Sequence, residues 1–176
     1  MMKLKHLFFT LVLGACALIP LQRAHAQSTF RKGSQTLGLS LSLTMGHRPF
    51  WVASVPPIGL SYEYGVLSRV FSNGKGSLGI GAHGEYAMLR SAKHNRVIFY
   101  DSYLFLGGFA SLHYEFVPKL DSYISPGLGV YTSSDRAHFH WHLITGTRYY
   151  VAPQFAIGLE YSWALPSLRL GLTYKF

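Results

Sequence analysis

The segment Ser167-Leu168-Arg169-Leu170-Gly171-Leu172-Thr173-Tyr174-Lys175-Phe176 decides the fold. On an extended chain Leu168, Leu170, Leu172, Tyr174 and Phe176 fall on one side, and Arg169, Gly171, Thr173 and Lys175 on the other. One face is wholly apolar, and both charges lie on its opposite. A soluble sheet would turn such a face to a core. Alternation sustained over about ten residues is also the unit from which transmembrane barrels are assembled, with the apolar face in lipid.

Working back from that segment, the same period recurs. Leu37, Leu39, Leu41, Leu43 and Met45 interleave with Gly38, Ser40, Ser42 and Thr44, giving a first strand whose second face is small. Ile58, Leu60, Tyr62, Tyr64 and Val66 oppose Gly59, Ser61, Glu63 and Gly65. Ser72-Asn73-Gly74-Lys75-Gly76 then supplies the residues a tight hairpin needs for positive φ. A third strand places Leu78, Ile80, Ala82, Gly84, Tyr86 and Met88 against Gly79, Gly81, His83, Glu85 and Ala87.

From Val97 to Phe116 both faces are largely apolar. The phase adopted turns Leu104, Leu106, Ala110, Leu112, Tyr114 and Phe116 outward and leaves Tyr103, Phe105, Phe109, His113 and Glu115 inside. After a turn over Pro118 to Asp121, Ile124, Pro126, Leu128 and Val130 alternate with Tyr123, Ser125, Gly127, Gly129 and Tyr131. Proline cannot donate to a ladder, so Pro126 predicts a bulge or an edge. Trp141 to Tyr150 and Phe155 to Trp163 complete eight strands with the closing segment. Longer connections (Gly46 to Pro56, Arg90 to Arg96, Thr132 to Phe139) alternate with short ones, except for the minimal Ala164-Leu165-Pro166 before the last strand.

In this phasing no outward position carries a charge, while Glu63, Glu85, Glu115, Glu160, Arg148, Arg169 and Lys175 all point inward. A charge on the lipid face at mid-membrane costs up to about 2 to 4 kcal/mol, so the segregation is what lipid demands. Closure follows, because hydrocarbon tolerates no open sheet edge. The fold class is therefore all-β, a single eight-stranded antiparallel up-and-down transmembrane barrel. Composition agrees: of 176 residues 49% are hydrophobic and 13% charged, against roughly a quarter charged in a soluble domain.

Residues 1–26 read as a cleaved signal peptide. Lys3 and Lys5 precede an apolar run from Leu7 to Leu21, and Ala24-His25-Ala26 is a small-x-small cleavage site. The apolar run is shorter than the roughly 20 residues of a spanning helix. Leu13-Gly14-Ala15-Cys16 loosely matches a lipoprotein signal, but the apolar residues continue past Cys16. Cleavage leaves residues 27–176 as the barrel domain and removes the only cysteine, hence any disulfide or thiol nucleophile. Lys3, Lys5 and Arg23 leave with it, so 13 basic residues face seven acidic ones, a net charge of +6. In a secreted chain that balance points to lipopolysaccharide phosphates rather than nucleic acid.

Residues 27–176 resemble the small eight-stranded bacterial outer-membrane barrels of the OmpX and OmpA transmembrane-domain type. The closing segment is similar to the terminal strand of outer-membrane proteins, and the resemblance implies that Tyr174 and Phe176 belong to the signal read by the barrel-assembly machinery. It further implies the outer membrane of a Gram-negative cell, a monomer surrounded by lipid and lipopolysaccharide, no cofactor, and a non-enzymatic structural or surface-interaction role. The rivals are a narrow small-solute pore and a lipid A acyl enzyme. His47 and the Asp101-Ser102 pair are similar to the residues of the lipid A palmitoyltransferase barrel, but its amphipathic amino-terminal helix is not evident between Gln27 and Thr36. The His-x-Ser pair of the deacylase barrel does not occur.

Three groups are candidate chemistry. Arg148, Glu160 and Arg169 lie on consecutive strands of one face, and with Glu63 and Glu85 they form an expected interior ion-pair network, Glu160 bridging the two arginines. His138, His140 and His142 share a face near the loop end and are weak candidate metal ligands, since same-face neighbours about 7 Å apart are too far to share one ion without a bulge. Tyr62, Tyr64, Tyr86, Trp141, Tyr149, Tyr161, Trp163 and Tyr174 are placed as interfacial girdles, leaving Phe50 and Trp51 as the residues suited to stack on carbohydrate. The expected processing is checked by the intact mass of membrane-extracted protein. A mass beginning at Gln27 supports it, and a diacylated Cys16 contradicts it.

Overall fold

The computed structural model describes residues 29–43, 51–93, 97–133, 136–163 and 167–176, with side chains for all of these except 51–55, 89–93, 97–101 and 133. The expected signal segment, His47 and Phe50 lie outside the described residues. Eight strands, β1 (Gln35–Ser42), β2 (Trp51–Ser68), β3 (Gly76–Lys93), β4 (Val97–Val117), β5 (Leu120–Ser133), β6 (Arg136–Ala152), β7 (Phe155–Ser162) and β8 (Ser167–Lys175), follow one another around a closed barrel. All neighbours are antiparallel, and closure is made by β1 and β8 from Thr36↔Lys175 to Ser42↔Arg169. The carboxyl-terminal strand and the first strand thus supply each other's missing ladder, which no exposed edge in hydrocarbon permits to stay open.

Alternation sets the two faces. Leu39, Leu60 and Leu172 are 52%, 55% and 54% exposed and are mutual register partners across β2, β1 and β8, so the outer wall there is unbroken leucine. Ser40, Ser42, Glu63, Glu85, Arg148 and Arg169 are buried in the lumen. An eight-stranded barrel is just wide enough for its inward side chains to fill it. Tyr103, Phe105 and Ala87 fill the loop-side part, with Tyr131 packed against them.

Local chemistry explains the turns. Gly74 takes φ +74° between β2 and β3, where the Asn73 carboxamide accepts from the Lys75 amide at 3.0 Å. Lys119 takes φ +70° in the β4–β5 turn.

Several expectations are corrected. The segments read as loops at Gly46 to Pro56, Arg90 to Arg96 and Thr132 to Phe139 are in large part strand: β2 begins at Trp51, β3 runs to Lys93 and β6 begins at Arg136. Polar residues there signal strand leaving the membrane, not strand ending. β4 has 21 residues, about twice the 9 to 11 that cross a bilayer, so the β3–β4 hairpin stands well clear of it. Asp121, read as turn, is the second residue of β5 and is buried. Val66 is the extra residue of a register shift between Gly65 and Leu67, which hands the outward position opposite Leu78 to Leu67. Pro126 marks neither a bulge nor an edge. It pairs with Leu143 on the β6 side, while β4–β5 pairing lapses between Phe109↔Gly127 and Leu112↔Ile124 and resumes in the same register. The missing proline donor is absorbed as a gap in one seam.

The outer wall generates a test. Leu39→Arg should destabilise the barrel in lipid vesicles by about 2 to 4 kcal/mol, read as a lower denaturant midpoint, whereas a conservative change at the neighbouring inward Ser40 should shift it much less.

Candidate functional site

The lumen holds two layers of charge. In the turn-side layer Arg148 stands directly opposite Asp121 in the β5–β6 register. Its Nε donates to Asp121 Oδ2 at 2.9 Å and its Nη2 to Glu63 Oε2 at 2.9 Å. His113 lies between the same two carboxylates, Nδ1 at 3.0 Å from Asp121 Oδ1 and Nε2 at 2.6 Å from Glu63 Oε1. Each ring nitrogen faces a carboxylate oxygen, and Arg148 Nη2 also lies 3.4 Å from Nδ1. The Ser111 hydroxyl also donates to Glu63 Oε1. Tyr123 covers the guanidinium at 4.7 Å and Phe30 stacks on the imidazole at 4.0 Å. Arg148 and His113 thus share the same two carboxylates, and a charge removed from water requires such partners.

The loop-side layer is built on Arg169. Its Nη2 donates to Glu85 Oε2 at 2.5 Å and its Nε to Ser167 Oγ at 3.1 Å, while Nη1 lies 3.4 Å from His83 Nε2. Between the layers a cavity of about 30 Å³ is bordered by Glu63, Tyr123, Arg148 and Glu160, and one of about 10 Å³ lies above it beside His83, Glu85 and His142. A water needs about 10 to 15 Å³ by this measure, so neither admits more than a few.

Glu160 is placed differently from expectation. It is in register with Arg169 on β8, yet among the described residues it makes no ion pair and accepts instead from Tyr123 Oη at 2.5 Å. Register supplies the reason: Arg148 is opposite Asp121 on one side and Gly158 on the other, with Glu160 two residues further along opposite Gly146. Arg169 reaches across the narrow lumen to Glu85 on β3. Of the five network residues, Arg148 and Glu63 meet in one layer, Arg169 and Glu85 in the other, and Glu160 stands between.

Sequence reasoning missed Asp121, Ser111, His83 and the bridging position of His113. The available signal was the continued alternation Asp121, Tyr123, Ser125, which puts the aspartate inside once the turn is confined to Pro118 and Lys119. The histidines of the alternating trio do not converge. His138 and His140 are exposed on β6 at the loop end, and His142 is buried with its ring edge-on to Phe105 at 5.0 Å. Among the described residues no three His, Cys, Asp or Glu side chains are grouped to hold a metal ion. Ser102 is exposed on β4 opposite Met88, and the Asp101 side chain lies outside the described residues.

Chemically, Ser111, His113 and Asp121 follow the order of a hydrolase triad, with Ser111 Oγ 2.9 Å from His113 Nε2. The geometry differs from a triad in that Nε2 lies nearer to Glu63 Oε1, at 2.6 Å, and the Ser111 hydroxyl is hydrogen-bonded to that same carboxylate. All three residues are 1% exposed.

No family model matches the sequence, and no curated protein does either. A solved structure from the de novo design of transmembrane β-barrels matches with a TM-score of 0.52 at 18% identity, covering 84% of this chain and 98% of that one. The chain has the fold of the small transmembrane β-barrels. Two structures of Ail, the attachment invasion locus protein of Yersinia pestis, also align: a crystal structure at a TM-score of 0.40 and its complex with the heparin analogue sucrose octasulfate at 0.44. Each has 15% identity and covers 82% of this chain and 99% of that chain.

The two layers should differ from Glu160 in their response to mutation. Arg148→Leu strands Asp121 and Glu63 and should lower stability by about 3 to 5 kcal/mol. Glu160→Gln keeps an acceptor for Tyr123 and should lower it by less than about 1.5 kcal/mol. Denaturant titration of gel mobility or tryptophan emission in vesicles separates the two.

Proposed function

We propose that the chain is an integral, non-enzymatic β-barrel of the bacterial outer membrane that acts through its loop-end surface. The observation that carries this is the filled lumen. Charge layers, aromatic rings and cavities of about 10 and 30 Å³ support this reading, in which interaction falls to the exterior. Lipid surrounds the leucine wall, and the closing strand with Tyr174 and Phe176 is the segment offered to the barrel-assembly machinery. A monomer suffices, since each strand edge is already paired.

At the loop end Arg136, His138 and His140 are exposed on β6, beside Phe139 and Trp141 at 72% and 60%. The Arg136 guanidinium and the N–H donors of His138 and His140, next to exposed aromatics, suit an anionic partner presented at the membrane surface, and lipopolysaccharide phosphate is the nearest. Such binding is electrostatic and screened within about 8 to 10 Å at physiological salt.

The test is binding of nanodisc-embedded protein to immobilised lipopolysaccharide. Affinity should fall as salt rises and should weaken several-fold in Arg136→Gln with His138→Gln and His140→Gln. Salt-independent binding unchanged by the triple variant contradicts the surface reading. Discrete conductance in planar bilayers would instead favour a pore, and altered lipid A acylation in cells an enzyme.

A further inference from the structure

Ahead of β1 the chain does not leave the barrel but enters it. Residues 29–34 cross the turn-side mouth from β2 toward β4 and β8. On the β2 side the Gly33 amide donates to Gly65 O and the Gly65 amide to Ser34 O, both at 2.8 Å, and the Lys32 amide donates to Ser68 Oγ at 2.5 Å. On the far side the Thr29 amide donates to Glu115 Oε2 at 3.2 Å, Lys175 Nζ donates to Thr29 O at 3.1 Å, and Ser77 Oγ donates to Phe30 O at 3.1 Å. Glu115 and Lys175 bind the segment's peptide groups; among the described residues neither makes an ion pair.

Phe30, 1% exposed, is driven into the lumen and stacks on His113. The wall is cut to receive it. A Cβ on Gly65 would collide with the Arg31 carbonyl oxygen, and one on Gly79 would come within 3.1 Å of the Phe30 ring as well as 2.6 Å of Glu63 and Ser111. Two wall positions are therefore glycine where the segment and its neighbours need the space. Yet the segment adds nothing to the closure of the sheet, because β1 finds both partners, β2 and β8, without it.

We propose that residues 29–34 are a releasable stopper. Seated, they seal the turn-side mouth over His113; released, they open a polar vestibule that extends to Ser111 and Arg148 while the barrel stays closed. This does not depend on the partner bound at the loop end. The arrangement joins a plug held by one ring and a handful of hydrogen bonds to a wall that is complete on its own, so plug and wall have separate stabilities.

Thiol accessibility tests it. The sequence holds one cysteine, Cys16, in the expected signal segment, so an introduced thiol is read alone in processed protein. In nanodiscs, where both ends meet solvent, Thr29→Cys reports the stopper, Ser111→Cys the vestibule, and Ser72→Cys, in the exposed β2–β3 turn, is the reference for a small charged methanethiosulfonate reagent. With the stopper seated, the first two should react at least ~10-fold more slowly than the reference, as expected of protected sites. Phe30→Ala, and independently Gly65→Ala, should bring both toward the reference rate while the folded gel mobility is retained. The proposal is overturned if Thr29→Cys reacts as fast as Ser72→Cys without either release mutation. It is equally overturned if Ser111→Cys stays protected once Thr29→Cys is free, or if both release mutations abolish the folded barrel.

Discussion

The pairing of β1 with β8 is the constraint on which the remainder depends. Hydrocarbon cannot satisfy a free amide or carbonyl, so a strand set that failed to close would leave a full edge unpaired in lipid. Closure in turn fixes which residues point where, since a slip of one residue would exchange the two faces of every strand. Leu39 opposite Leu60 and Leu172, and Ser40 opposite Gly59 and Gly171, show the register that keeps leucine outside and small polar groups inside.

A closed barrel of eight strands creates a second requirement, which is to fill a narrow polar interior without orphaned charge. The structure meets it both between neighbouring strands and by reach across the lumen. Arg148 is satisfied by Asp121 on the next strand and by Glu63 on β2, and Arg169 by Glu85 on β3. The Arg148–Glu63 and Arg169–Glu85 pairs tie strands distant in the sequence across the lumen. The two cavities of about 10 and 30 Å³ beside these layers have room for only a few waters.

Fold was largely readable because lipid imposes a simple rule on each strand. The alternation of Leu168 to Phe176 or Ile58 to Tyr64 has one reading once no outward charge is found. Strand length was less readable, since beyond the bilayer the outer face meets water and residues such as Arg90 or Arg136 no longer mark an end. Lumen partners were the hardest. Facing was right for Glu160, Arg148 and Arg169, but pairing depends on register between strands, on side-chain reach and on a two-residue turn that brings Asp121 inside. Nothing in local pattern announces that Phe30 returns into the barrel, although the glycines at 65 and 79 are what its seat requires.

The central claim is a closed barrel with one face in lipid and the other in a filled lumen. Nuclear Overhauser measurements on labelled protein in lipid nanodiscs test both halves at once. The account predicts backbone contacts between the residues flanking Leu39 and those flanking Leu172, together with acyl-chain contacts to Leu39, Leu60 and Leu172 and none to Ser40, Glu85 or Arg169. Missing β1–β8 contacts, or acyl-chain contacts to both faces, would contradict it.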